Sequence, residues 1–243
     1  MQRLAFWMTQ PTIPHIEIAW DFGFRRVVLD IEHGTFDLDA LDRVIPFCRA
    51  LGMTVYAKVL GPQTETIQQA LDFGADTVVI PHIESAAHAE AVCRAAKYPP
   101  LGTRSYSGGR PVRYGPANNS YGADQNRATR CYPMIESPGA LADVEAIAAL
   151  PTVDGLFVGP TDLSLTQGAQ RYTFSERDQA DIARCAAAAK AAGKSWILPG
   201  WTAPERALAQ QHGAEVVVVG AQFYMVRSAF QALVDQLASE RIA

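Results

Sequence analysis

The chain has 243 residues (26.4 kDa), 49% of them hydrophobic and 19% charged, which excludes a disordered chain and fits one large core or two small ones. A net charge of −4 and a pI near 5.7 argue against a nucleic-acid or membrane-surface partner. The longest β-branched run, 216–219, has the length of a strand and not the roughly 20 residues of a membrane helix.

From the N-terminus, residues 1–7 lack the apolar stretch and cleavage site of a signal peptide. Apolar, β-branched runs predict strands at 4–8, 27–31, 54–58, 77–81, 131–135, 155–158, 195–198 and 215–219. Helical patterns follow them at 13–21, 38–51, 64–73, 86–96, 139–150, 176–192, 204–211 and 224–241. Gly23, Gly52, Gly74, Gly193 and Gly213 stand where helices should stop. Several strands are apolar on both faces, as parallel strands are. Eight strand–helix units in one 243-residue domain predict an α/β fold, a (β/α)8 barrel. An open doubly wound sheet is the alternative, but Thr9-Gln10-Pro11-Thr12 is no glycine-rich phosphate loop. Residues 101–127 break the rhythm. They are rich in Gly, Ser, Tyr, Asn and Arg, and read as a long loop, either functional or merely solvated. Cys48, Cys93, Cys131 and Cys185 are scattered, with no CxxC pair, and are expected to be reduced structural thiols in a cytoplasmic protein.

Catalytic groups of such a barrel lie at the C-terminal strand ends. Here those ends read Asp30-Ile31-Glu32-His33-Gly34, Lys58-Val59, Pro81-His82-Ile83-Glu84, Ile135-Glu136-Ser137 and Gly159-Pro160-Thr161-Asp162. Ionisable groups directly after apolar strands are costly unless paired or bound to something. Glu136 and Asp162 close consecutive strands, and two such carboxylates repel unless a cation or proton lies between them. A magnesium-like ion fits that pair, although each residue alone would also serve as a helix cap. His33, beside two acids, is the best base candidate, with His82 second. His15, His88 and His212 lie in helical patterns, and Asp72 by pattern alone is a solvated or capping residue. The run Gly159-Pro160-Thr161-Asp162 offers backbone amides near the carboxylates, a small nest for a substrate carboxylate.

Glu32-His33-Gly34, Leu71-Asp72-Phe73-Gly74-Ala75, the run from Tyr98 to Arg104, Ile135-Glu136-Ser137 and Gly159-Pro160-Thr161-Asp162-Leu163-Ser164 occur in one order. Together they resemble the HpcH/HpaI family of metal-dependent pyruvate aldolases over nearly the whole chain. The resemblance implies a barrel whose last helix is exchanged with a neighbour, in a homohexamer. It implies Glu136 and Asp162 as ligands of Mg2+, Mn2+ or Co2+, and backbone amides around Thr161 that hold the pyruvate carboxylate. His33 matches the acid/base histidine, and Asp72 a residue that orients it, across a subunit boundary in one arrangement. Arg104 would help shape the aldehyde end of the pocket, and Leu198 is expected to border the substrate. The implied reaction cleaves or forms 4-hydroxy-2-oxo acids from pyruvate and an aldehyde.

One position departs from that pattern. Lys58 stands where the family usually has an arginine on the keto or enolate oxygen. Lysine keeps the charge and loses the planar fork. Three readings stay open: Lys58 does the arginine's work; the protein runs a citrate-synthase-like or oxaloacetate reaction; or Lys58 forms a Schiff base. A non-catalytic carboxylate-binding barrel is a further alternative.

Overall fold

In the computed structural model, which describes residues 3–240, eight parallel strands close a barrel in sequence order, β1 pairing with β8. The strands are β1 Leu4–Met8, β2 Arg26–Asp30, β3 Thr54–Lys58, β4 Thr77–Ile80, β5 Arg130–Ile135, β6 Gly155–Val158, β7 Ser195–Pro199 and β8 Val216–Ala221. The helices are α1 Ile13–Asp21, α2 Leu38–Ala50, α3 Thr64–Asp72, α4 Ala86–Cys93, α5 Tyr121–Ala128, α6 Pro138–Ala142, α7 Val144–Ala149, α8 Pro160–Thr166, α9 Glu176–Ala191, α10 Ala203–Gln211 and α11 Gln222–Ser239. The (β/α)8 expectation holds, with strand bounds shifted by at most two residues. The five glycines expected as helix stops all have positive φ, from 66° to 101°.

Strand alternation divides the core in two. Ala5, Val28, Tyr56, Val79, Tyr132, Phe157, Ile197 and Val218 fill the lumen. Phe6, Leu29, Val55, Val78, Leu156, Leu198 and Val217 form the layer between strands and helices. Both faces of the strands are therefore buried, which is why the sequence shows apolar runs and not alternation.

Several elements differ from expectation. The helix predicted over 139–150 is two helices broken at Asp143, whose carboxylate accepts the Ala86 N–H at 2.8 Å. The predicted loop 101–127 carries a 3-10 turn, Arg110–Val112, and the polar helix α5. That helix has no buried residue and hence no apolar stripe to read. The short α8 intervenes before α9, with Pro160 at its start and Asp162 in its first turn. The last helix begins two residues earlier than expected, and the expected end at 241 lies outside the described residues.

Among the described residues, no helix is long and apolar enough to cross a membrane. All four cysteines are buried and free.

Candidate active site

β2 and β3 pair in a register that sets Asp30 beside Lys58, and both side chains turn into the lumen at the C-terminal mouth. Each is nearly buried, so their charges must be met locally. Lys58 Nζ lies 3.5 Å from Asp30 Oδ1 and forms a close ion pair with Glu32 Oε2. Asp30 Oδ2 accepts the Trp7 indole N–H at 3.0 Å, while Oδ1 accepts the His33 backbone N–H at 3.2 Å. Gly34 closes this turn. A Cβ there would come within 2.1 Å of the Asp30 carbonyl oxygen and 2.6 Å of that of Thr9, so only glycine fits.

Glu32 is the hub. Its second oxygen, Oε1, lies 2.6 Å from His82 Nε2 and 3.6 Å from His33 Nε2. Burial alone would raise the Glu32 carboxyl, but the Lys58 hydrogen bond and charge, with His33 and His82, hold it below its ordinary value.

His82 links this cluster to the next strand. It adopts φ 60°, a left-handed conformation that costs a non-glycine residue about 1–3 kcal/mol. In that conformation its backbone N–H donates to Glu136 Oε1 at 2.7 Å, and its Nδ1 lies 3.8 Å from the same oxygen. Glu136 is buried at the end of β5. Burial raises its carboxyl above the ordinary value and Asp162 adds to the rise, against the His82 N–H and Lys58. A buried carboxylate with an acidic neighbour is poised for a cation or a proton.

Asp162 is exposed in the first turn of α8. Gly159 leaves room between them: a Cβ there would lie 2.8 Å from Glu136 Cβ and 2.9 Å from its Oε2. Among the described residues, no group of three or more His, Cys, Asp and Glu is arranged to hold a metal ion. If Glu136 and Asp162 hold an ion, they supply two carboxylates and leave its other positions to water or substrate. Magnesium-class ions accept that donor set and thiophilic ions do not.

His33, Lys58, Glu136, Gly159, Pro160, Thr161 and Asp162 thus gather at one mouth. The other expected residues lie elsewhere in the chain. α3 runs back from the mouth, so Asp72 at its end lies where the strands begin. There it pairs with the buried Arg104 at 2.7 Å, whose guanidinium also covers the Tyr98 ring at 4.7 Å. Within one chain neither Asp72 nor Arg104 reaches the mouth. Leu198 faces the helical layer, because alternation turns Ile197 and Pro199 inward.

Glu32 and Trp7 carry more of the site than their sequence context indicates. In the sequence Glu32 stands out only as a strand-end acid beside His33, and no local pattern there shows that it meets Lys58 and His82.

Residues 3–229 match the family model described as HpcH/HpaI aldolase/citrate lyase. A 4-hydroxy-2-oxovalerate aldolase of Novosphingobium aromaticivorans is 35% identical over 170 residues, 68% of this chain. The match spans 63% of that relative, so the chain spans less than two thirds of its length. A 2-keto-3-deoxy-L-rhamnonate aldolase of Salmonella gallinarum is 31% identical over 223 residues, covering 90% of this chain and 82% of the relative. Among solved structures, an HpcH/HpaI aldolase from Desulfitobacterium hafniense DCB-2 superposes with a TM-score of 0.88 at 22% identity. That match covers 97% of this chain and 92% of the other, and shows a shared fold.

Proposed function

Since the chain belongs to the HpcH/HpaI aldolase/citrate lyase family, we propose that it is a carbon–carbon lyase, a divalent-metal-assisted aldolase that cleaves or forms 4-hydroxy-2-oxo acids. The observation that carries this reading is the convergence of Glu136, Glu32, Lys58 and two histidines at one barrel mouth. Glu136 and Asp162 would hold the ion. When bound, it supplies Lewis-acid polarisation of the 2-keto group and offsets the repulsion between the two carboxylates.

The chain's own groups account for the remaining needs. In cleavage, the C4 hydroxyl loses its proton to a base and the C3–C4 bond breaks as the aldehyde carbonyl forms. The electron pair passes to the pyruvate enolate, and C3 then regains a proton. His33, exposed at the mouth and steered by Glu32, suits the proton transfers. Lys58 brings a positive charge to the keto-oxygen side, where negative charge develops. The N–H groups near Thr161 would orient the substrate carboxylate. With two carboxylates around it, the Lys58 amine serves as an ion-pair donor and not as a free nucleophile, which disfavours a Schiff base.

The position of Asp72, part-exposed at the far end of the barrel, supports assembly into a homo-oligomer in which it serves a neighbouring mouth. The last helix supports the same reading. Gln222 is its one buried residue, while Phe223, Tyr224, Phe230, Leu233 and Val234 are about half exposed or more. A groove of about 370 Å3 beside it, lined by Ile18, Phe22, Phe24 and Met225, would take apolar side chains of another copy. Four free, buried thiols fit a reducing compartment such as the cytoplasm.

Pyruvate release from a panel of 4-hydroxy-2-oxo acids with manganese tests the function. EDTA-sensitive turnover is expected, with Glu136→Ala lower by about 100-fold or more. Equal rates for the parent and Glu136→Ala, or turnover indifferent to EDTA, would overturn it.

A further inference from the structure

The charged groups of the candidate site are confined to one arc. Asp30, Glu32, Lys58, His82, Glu136 and Asp162 all stand on β2 to β6 or on the turns that follow them. From β7 through β8 to β1 the inward positions are Pro199, Ala221 and Trp7, and none of them is charged.

Two indoles dominate it. Trp7 packs on the lumen cluster, its ring edge-on to Phe157 with centroids 6.0 Å apart. Above it, on the turn between β7 and α10, Trp201 meets the Trp7 ring edge-on at 6.3 Å and is 39% exposed. Both rings sit on well-tied supports. The Trp7 indole N–H is bonded to Asp30. In the Trp201 turn, the Gly200 N–H donates to the Val218 carbonyl at 2.8 Å and Arg206 Nη1 donates to the Trp201 carbonyl at 2.9 Å. Thr202 and Glu205 cap the helix that follows. A rigid, half-exposed indole offers a large contact area at little entropic cost, and it favours apolar and flat groups.

Lys58 and Arg206, the cations that approach these two indoles, are already engaged. Lys58 Nζ lies 5.8 Å from the Trp7 ring but is paired with Glu32 and Asp30. Arg206 is bonded to the carbonyls of Gly200 and Trp201. Arg104 and Arg110 pair with Asp72 and Asp42, away from this mouth.

We propose that Trp201, backed by Trp7, forms the acceptor subsite, and that it selects aldehydes with a short apolar or aromatic side chain over anionic or polyhydroxylated ones. The inference rests on the aldolase reading. In condensation, pyruvate gives a methyl proton to the base. Its C3 then bonds to the aldehyde carbon, and the aldehyde oxygen takes up a proton. The aldehyde's side chain is the one part of the pair that needs no charged partner, and this arc is where the mouth offers none.

Exchange of the pyruvate methyl protons with D2O, in the presence of manganese, tests the aldolase reading without any acceptor. Condensation of pyruvate with propanal and benzaldehyde, against glyceraldehyde and succinic semialdehyde, tests the subsite. The parent is expected to favour the apolar pair by about tenfold or more in kcat/KM. Trp201→Ala should reduce that ratio to about threefold or less, and Trp201→Phe should restore most of it. General damage to the fold lowers both acceptor classes together and leaves the ratio intact, so an unchanged ratio in Trp201→Ala overturns the subsite. Methyl exchange with a preference for the anionic or hydroxylated aldehydes also overturns it. Absence of exchange in the parent overturns the aldolase reading and the subsite with it.

Discussion

Glu32 offers one carboxylate to Lys58, His82 and His33, and does so with its side chain 8% exposed. Neutralising it leaves a buried ammonium paired only with Asp30. Glu32→Gln is therefore expected to cost about 3 kcal/mol at neutral pH, and adding Lys58→Met should recover most of that by removing the stranded charge. Urea unfolding of the single and double variants measures this, and a single variant as stable as its parent would refute it. The pH dependence has a defined sign. The fold favours ionised Glu32, so its contribution is present above the ordinary value of 4.5 and is lost as pH falls through the lowered one. Glu136 runs the other way. Its raised value favours the protonated form, a contribution present below 4.5 and lost as pH rises through the raised value. The Glu32→Gln variant should show a flatter acid limb than the parent in the same titration. His33, Lys58, Glu136 and Asp162 were legible in the sequence because each is an ionisable group where an apolar strand stops. Glu32 was legible as a neighbour and not as a hub, because its partners come from β3 and the turn after β4.

Among the elements, the excursion between α4 and β5 shows how a polar segment is secured without an apolar stripe. Lys97 is 1% exposed, and its Nζ donates to the carbonyls of Asn126 at 2.9 Å and Thr129 at 2.8 Å while facing Asp154 at 2.7 Å. Asn126 in α5 returns two bonds to the Tyr98 backbone. One buried ammonium thus ties α5, the start of β5 and the turn before β6 together. Lys97→Met keeps the volume and leaves those acceptors unmet, so a loss of about 3 kcal/mol is expected, read as a lower thermal midpoint. An unchanged midpoint would show that the excursion is held by other contacts. The strands were readable because their β-branched runs are buried on both faces. The helix α5 was not, since it is tied down by hydrogen bonds to residues up to 29 positions away.

For the whole molecule, the exposed apolar face of α11 is the feature a single chain leaves unexplained. Phe230 is 65% exposed and Leu233 49%. Replacing both with Glu spares the buried Gln222, which accepts the N–H groups of Thr9 and Gln10. The double variant is expected to lower the oligomeric state in light scattering while keeping the barrel's circular dichroism. An assembly of undiminished mass would place the interface on another face.

The sequence by itself determined the barrel, because strand and helix periodicity, glycine stops and strand-end charges are local properties of the chain. It also determined which residue types stand at the mouth. Only the tertiary structure decided how they are partnered. Strand register set Lys58 against Asp30, and a left-handed turn at His82 joined Glu32 to Glu136. The return of α3 to the far end of the barrel took Asp72 and Arg104 away from this chain's own mouth. Each of these depends on where distant segments meet once the sheet has closed, and no local pattern encodes that.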